Sequence, residues 1–276
     1  MDRRPVLFLD SGLGSFPYGY FFHSRNPREP LICIGDRANF PYGVKSKETL
    51  IEILDSLTHT YVSRYEPKVL TLVCNTASVT ALAFLRKKYP DLPIVGTVPA
   101  MKPAVLASKK RRVGVIASER AIEDPYIREL ADRYGPDCEI VGIAAPELIE
   151  YVQLHYGAST PAERLEKVQQ YTEQFRSAGV DSIVLGCTHF LLLQEEFRAA
   201  AGKDIGIYDS MEGISRRVEY ILDEDGGKLR AGADADSTIP IVIVTGEAPL
   251  EPYWEQLCRR FGFSFERRII DKRKIQ

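Results

Sequence analysis

Short apolar runs rich in β-branched residues recur along this chain, each closed by small polar residues and followed by a helical pattern. Residues 69–76 read VLTLVCNT and residues 182–188 read SIVLGCT. Runs of that length, bounded by small residues, read as strands buried on both faces of a parallel sheet. Each ends in a cysteine, Cys74 or Cys187. Open α/β sheets place their ligands at the carboxyl ends of strands. Residues 6–11 (VLFLDS) and 113–118 (VGVIAS) are two further strands of this kind, ending in Asp10-Ser11 and Ser118. A half built of strand, helix, strand and Cys-Asn-Thr is followed by a half built of strand, helix, strand and Cys-Thr-His. The expected architecture is α/β: two similar three-layer domains with mainly parallel sheets, and an active site in the cleft between them.

Strands are predicted at 6–10, 31–34, 69–74, 94–97, 113–117, 139–143, 182–187, 205–208 and 240–245. Helices are predicted at 47–65, 76–89, 100–109, 121–134, 161–178, 190–201, 211–222 and 250–261. Connectors of helical size imply right-handed crossovers between parallel strands. Ser159 or Thr160 before Pro161 marks a helix start. The polar, Gly-rich segment 223–236 is expected to be a surface loop. The first domain is expected over 1–98, completed by 209–276, and the second over 99–208. The stretches TVPAMKP at 97–103 and DSME at 209–212 are the candidate hinges.

Bulk properties narrow the function. At 276 residues the chain favours one large or two moderate domains. A net charge of −2, mixed along the chain, argues against a dedicated nucleic-acid binder. The basic runs at 109–112 (KKRR) and 267–274 are short and read as solvated. No apolar run is long enough to span a membrane. The charged start, MDRR, leads straight into a strand, so no signal peptide is expected. Five cysteines without a CxxC pair fit a reducing cytoplasm better than a disulfide framework. The four histidines do not cluster as zinc ligands, and no metal is expected.

Buried cysteine often serves only as a small apolar residue. Two of them at matched strand ends point instead to a symmetric acid and base. An ionised, shielded thiol is a useful base for a carbon acid, but its ordinary pKa of roughly 8.5 means it needs local help. The amino end of the following helix can supply some. Asp10 can reach Cys74 if the first and third predicted strands are neighbours, although as a turn residue it could equally be a cap. His189 lies two residues beyond Cys187, where a first-turn structural role competes with a catalytic one. Ser11, Asn75, Thr76 and Thr188 sit at or just beyond strand ends. Each alone is most often a cap; together with helix N–H groups they form a cradle for carboxylates. The absence of a P-loop argues against phosphate. GLG at 12–14 lacks the third glycine of a dinucleotide fingerprint. In GDRANFPYG at 35–43, Pro41-Tyr42-Gly43 reads as a turn that could close over a ligand.

The ordered motifs LFLDSGLGS (7–15), GDRANFPYG (35–43), VCNTAS (73–78), LGCTH (185–189) and VTGEAPLEPYWEQLCRRF (244–261) resemble the cofactor-independent glutamate racemases of the aspartate/glutamate racemase family, over nearly the whole chain. The resemblance implies two α/β domains, no cofactor, and Cys74 and Cys187 acting as acid and base from opposite faces of the α-carbon. It implies that Asp10 and His189 assist their nearest cysteines. Asp10, Ser11, Tyr42, Gly43, Asn75, Thr76, Thr188 and His189 match the substrate-contact positions. It further implies a cytoplasmic homodimer that takes glutamate and supplies D-glutamate for peptidoglycan. Two departures stand out. Ser15 replaces the second glycine of the usual Gly-Gly, and Gln153 occupies the place of an assisting glutamate, with Glu147 and Glu150 nearby. An aspartate racemase on the same scaffold and a weakly active homologue with a binding or regulatory role are the alternatives.

Overall fold

The computed structural model describes residues 2–232, 235–247 and 250–267. The chain divides into two compact units: Met1–Thr97 with Met211–Gln276, and Val98–Ser210. The first begins β1 (Val6–Asp10), α1 (Ser15–Arg25), β2 (Leu31–Gly35), α2 (Lys47–Tyr65), β3 (Val69–Leu72), α3 (Asn75–Lys88) and β4 (Ile94–Gly96). The second unit runs α4 (Met101–Ala107), β5 (Arg112–Ala117), α5 (Glu119–Glu123), α6 (Pro125–Tyr134), β6 (Glu139–Ala144), α7 (Pro146–His155), α8 (Pro161–Ser177), β7 (Ser182–Leu185), α9 (Gln194–Ala201) and β8 (Gly206–Tyr208). The chain then returns to the first unit as α10 (Met211–Gly227), β9 (Ile241–Val244), α11 (Tyr253–Phe261) and β10 (Ser264–Arg267).

The first sheet has the order β10-β9-β2-β1-β3-β4 and the second β6-β5-β7-β8. Every pairing among the described residues is parallel. Fold class is therefore as expected, with parallel sheets throughout, although the two halves differ in size. Period-2 alternation puts helices on both faces. In the first unit Leu7 and Leu9 join Leu50, Leu54, Leu57, Ala77, Ala81 and Leu85 of α2 and α3 in one core cluster. Phe8 turns the other way, onto Phe22 of α1, with ring centroids 5.4 Å apart. In the second unit Val113, Val115 and Ala117 pack with α4 and α6. Gly114 between them lies against the Phe175 ring of α8, where an added Cβ would come within 2.6 Å.

Most predicted elements are present, and the departures have local causes. The helix predicted at 121–134 is two helices, because Pro125 has no N–H to continue the first and Asp124 caps the second by accepting from the Tyr126 amide at 2.9 Å. The helix predicted at 190–201 opens as a 3-10 helix, Thr188–Leu193, before α9. The polar segment predicted as a loop from 223 instead extends α10 to Gly227. Helices α1 and α7 and strand β10 were not foreseen. The α1 sequence SFPYGYFFHSR carries Pro17 and Gly19, poor helix formers, but fully buries Phe16 and Phe22. Burial of such side chains is worth roughly 1.5–3 kcal/mol each and outweighs propensity. Helix α8 starts at a capping box, in which Thr160 accepts from the Glu163 amide and Glu163 accepts from that of Thr160. In the basic run at 109–112 the Lys109 and Lys110 amides donate to Asp181, while Arg111 pairs with Asp137 and Arg112 with Glu139. The other basic run lies outside the described residues beyond Arg267. No helix among the described residues is long and apolar enough to cross a membrane.

Candidate active site

In the first unit β1 pairs directly with β3, so Asp10 and Cys74 end neighbouring strands. The Val73 amide donates to the Leu9 carbonyl at 2.9 Å, carrying the pairing to the residue before Cys74. Cys74 is the N-cap of α3, and Asn75 and Thr76 are its first buried residues. Asp10 is fully buried. Its Oδ1 accepts from the backbone amides of Gly12 at 2.7 Å and Gly14 at 3.0 Å, which folds the GLG segment around the carboxylate. The Cys74 thiol donates to Ser11 Oγ at 3.9 Å. Burial, reinforced by the negative charge of Asp10, pushes the Cys74 thiol up to about 12, against hydrogen bonds from Ala77 and Ser11. At neutral pH this cysteine rests as a thiol.

The GDRANFPYG segment is organised by Asp36, which sequence reading passed over. Tyr42 donates its hydroxyl to Asp36 at 2.7 Å, Asn39 donates its amide at 2.9 Å, and the Thr245 hydroxyl at the end of β9 donates to the other carboxylate oxygen. Burial raises the Asp36 pKa, and these three donors counter it. Burial also holds the Tyr42 phenol well above its ordinary range, so it remains a donor. Tyr42 is thus part of the core, while Gly43 is only half-buried. Gly35, just before Asp36, has to lack a side chain: a Cβ there would sit 2.8 Å from the Gly12 carbonyl oxygen and 2.9 Å from the Trp254 ring.

In the second unit Cys187 follows the central strand β7 and precedes the 3-10 helix Thr188–Leu193. It is partly exposed, whereas Thr188 and His189 are buried. Nδ1 of His189 lies 3.8 Å from Cys187 Sγ. Its other ring nitrogen, Nε2, lies 3.0 Å from Oε1 of Gln153 on α7. Burial pushes His189 down to about 4, so the imidazole is neutral at physiological pH. Of the acidic or amide residues flagged on this segment, only Gln153 is buried; Glu147 and Glu150 face solvent.

Each unit therefore carries one cysteine just beyond a strand end, with the titratable side chain of Asp10 near Cys74 in the first and of His189 near Cys187 in the second. The sequence model of the Asp/Glu/Hydantoin racemase family matches residues 24–214. The chain belongs to this family. Among curated members of the racemase family, the glutamate racemase of Sphingopyxis alaskensis is 36% identical over 221 residues, 79% of this chain and 82% of its own. That of Klebsiella pneumoniae is 32% identical over 264 residues, 95% of this chain and 91% of its own. The crystal structure of Escherichia coli glutamate racemase in complex with L-glutamate and the activator UDP-MurNAc-ala superposes with a TM-score of 0.82 and 29% identity, covering 96% of this chain and 98% of that one.

Asp36, Thr245 and the Gln153–His189 contact are the buried polar groups around these residues that sequence reading missed or left without a role. The hydrogen bond from Thr245 to Asp36 spans 209 residues and that between His189 and Gln153 spans 36. The one local signal for Asp36 was its place between Gly35 and the aromatic turn. Among the described residues no group of three or more His, Cys, Asp or Glu is placed to hold a metal ion.

Proposed function

We propose that this chain is a glutamate racemase that interconverts L- and D-glutamate by a two-cysteine acid/base mechanism, without pyridoxal phosphate or metal. The observation that carries the reading is the matched placement of Cys74 and Cys187 at the ends of β3 and β7, each beside its own proton-handling group. Likeness to curated glutamate racemases across most of the chain supports the substrate.

The chemistry follows from what inversion requires. Removing the α-proton leaves a planar carbanion-like centre, which must be reprotonated on the opposite face. One sulfur takes the proton as thiolate while the other gives one as thiol, and the roles exchange with direction. By family likeness Cys187 works on L-glutamate and Cys74 on D-glutamate. Ser11, Asn75, Thr76 and Thr188, with the backbone around Gly43, hold the two carboxylates. Supply of D-glutamate for peptidoglycan, a cytoplasmic location and a homodimer belong to the same reading.

Purified protein incubated with L-glutamate, after chelator treatment and without added pyridoxal phosphate, is expected to bring the circular dichroism signal to zero. An unchanged signal with glutamate but loss of signal with L-aspartate would move the substrate. Activity lost on chelation and restored by metal would overturn the mechanism.

A further inference from the structure

We propose that Gln153 is a positioning residue that fixes His189 in the tautomer protonated on Nε2, so that the Nδ1 lone pair faces Cys187 and the imidazole can only accept from that sulfur. The geometry rests on two contacts of one ring. Nε2 lies 3.0 Å from the Gln153 Oε1, an acceptor, and Nδ1 lies 3.8 Å from Cys187 Sγ. A neutral imidazole carries a single N–H, and which nitrogen holds it is decided by the hydrogen bond the other makes. The ring is buried at 1% exposure, and burial keeps it neutral at rest, so which nitrogen carries the proton sets what the ring offers the sulfur.

The consequence is directional. With Nε2–H committed to Gln153, the thiol of Cys187 can donate to Nδ1. As the sulfur becomes a thiolate its S–H bond breaks and an Nδ1–H bond forms, giving a transient imidazolium whose charge is balanced by the adjacent thiolate, and the reverse returns the proton. The opposite tautomer would present an N–H to the sulfur and offer nowhere for its proton to go. Gln153 reaches the ring from α7, a helix the ring packs against, and it is itself 2% exposed. It acts through His189 rather than on substrate. Its role deepens the proposed reaction, and it rests on the reading of Cys187 as one of the two bases.

The test reads the tautomer directly. Two-bond proton–nitrogen correlation spectra of the ¹⁵N-labelled full chain distinguish the two neutral tautomers. The His189 signal is assigned among the four histidines by its loss in His189→Asn. The wild type is expected in the Nε2–H form. Gln153→Glu, which retains an acceptor oxygen, is expected to keep it. Gln153→Met, of similar length with only a weak acceptor, is expected to populate the Nδ1–H form and to lose about tenfold in kcat for L-glutamate with little change in KM, the low end of what outer-shell partners of metal-bound imidazoles are worth. A wild type in the Nδ1–H form, or a tautomer unmoved in Gln153→Met, overturns the inference. Because the spectra need no turnover, they fail or succeed independently of whether the chain racemises glutamate.

Discussion

The two cysteine centres occupy matching places in their sheets but have different surroundings. Cys74 caps a full α-helix, is only 6% exposed, and rests as a thiol beside the buried carboxylate of Asp10. Cys187 precedes a 3-10 helix, is partly exposed, and faces a neutral imidazole held from behind by Gln153. A carboxylate already accepting from two amides raises the cost of ionising its thiol. A neutral imidazole offers a lone pair instead. Topological equivalence therefore does not make the two centres chemically equivalent.

The comparison is broken most severely by removing either sulfur. Cys74→Ser and Cys187→Ser are each expected to abolish racemisation, because a serine hydroxyl is a far poorer base. Each single variant should still eliminate from one enantiomer of a substrate with a good β-leaving group, and the two variants should choose opposite enantiomers. Near-normal racemisation in both directions by either variant would contradict the two-base scheme.

Removing the assisting groups should separate the centres. Asp10→Asn retains an oxygen to accept from Gly12 and Gly14 but removes the charge, and is expected to slow the D-to-L chemical step more. His189→Asn should slow L-to-D more. Losses of about 10²–10⁴-fold are the usual scale for such groups. The equilibrium constant between enantiomers stays at one, so unequal changes in kcat must be balanced in KM. Kinetics in both directions with α-deuterated substrate check this; equal losses with unchanged isotope effects would assign both residues to positioning alone.

The smallest effect sharpens the contrast in resting state. Thiolates, not thiols, are alkylated. With its pKa raised to about 12, Cys74 is protonated at pH 7.5, and its thiolate fraction grows as pH rises. Site-resolved mass spectrometry after iodoacetamide should find the partly exposed Cys187 modified before the buried, protonated Cys74 at neutral pH. Modification of Cys74 should accelerate by about tenfold per pH unit in the alkaline range. A pH-independent rate at Cys74 would remove the proposed difference.

The alternation of strands and helices and the position of both cysteines were legible because they are written locally. A β-branched run ending in Cys and a small residue reports its own strand and its own terminus. The same local reading placed Asp10 correctly at the end of β1. It missed α1, since Pro17 and Gly19 argue against a helix that only the burial of Phe16 and Phe22 sustains. It read the turn carrying Tyr42 as one that could close over a ligand; the hydrogen bond from the Tyr42 hydroxyl to buried Asp36 lay outside that reading.

The sequence by itself determined the fold class, the parallel sheets and the two thiols at strand ends, because each follows from periodicity and residue type within a few positions. Only the tertiary structure decided which groups surround those thiols. The pairing of β1 with β3 brings Asp10 beside Cys74, β9 delivers Thr245 to Asp36, and α7 brings Gln153 to His189. The acid–base state of a buried group is set by desolvation and by partners distant in the chain, and neither is encoded in its immediate neighbours.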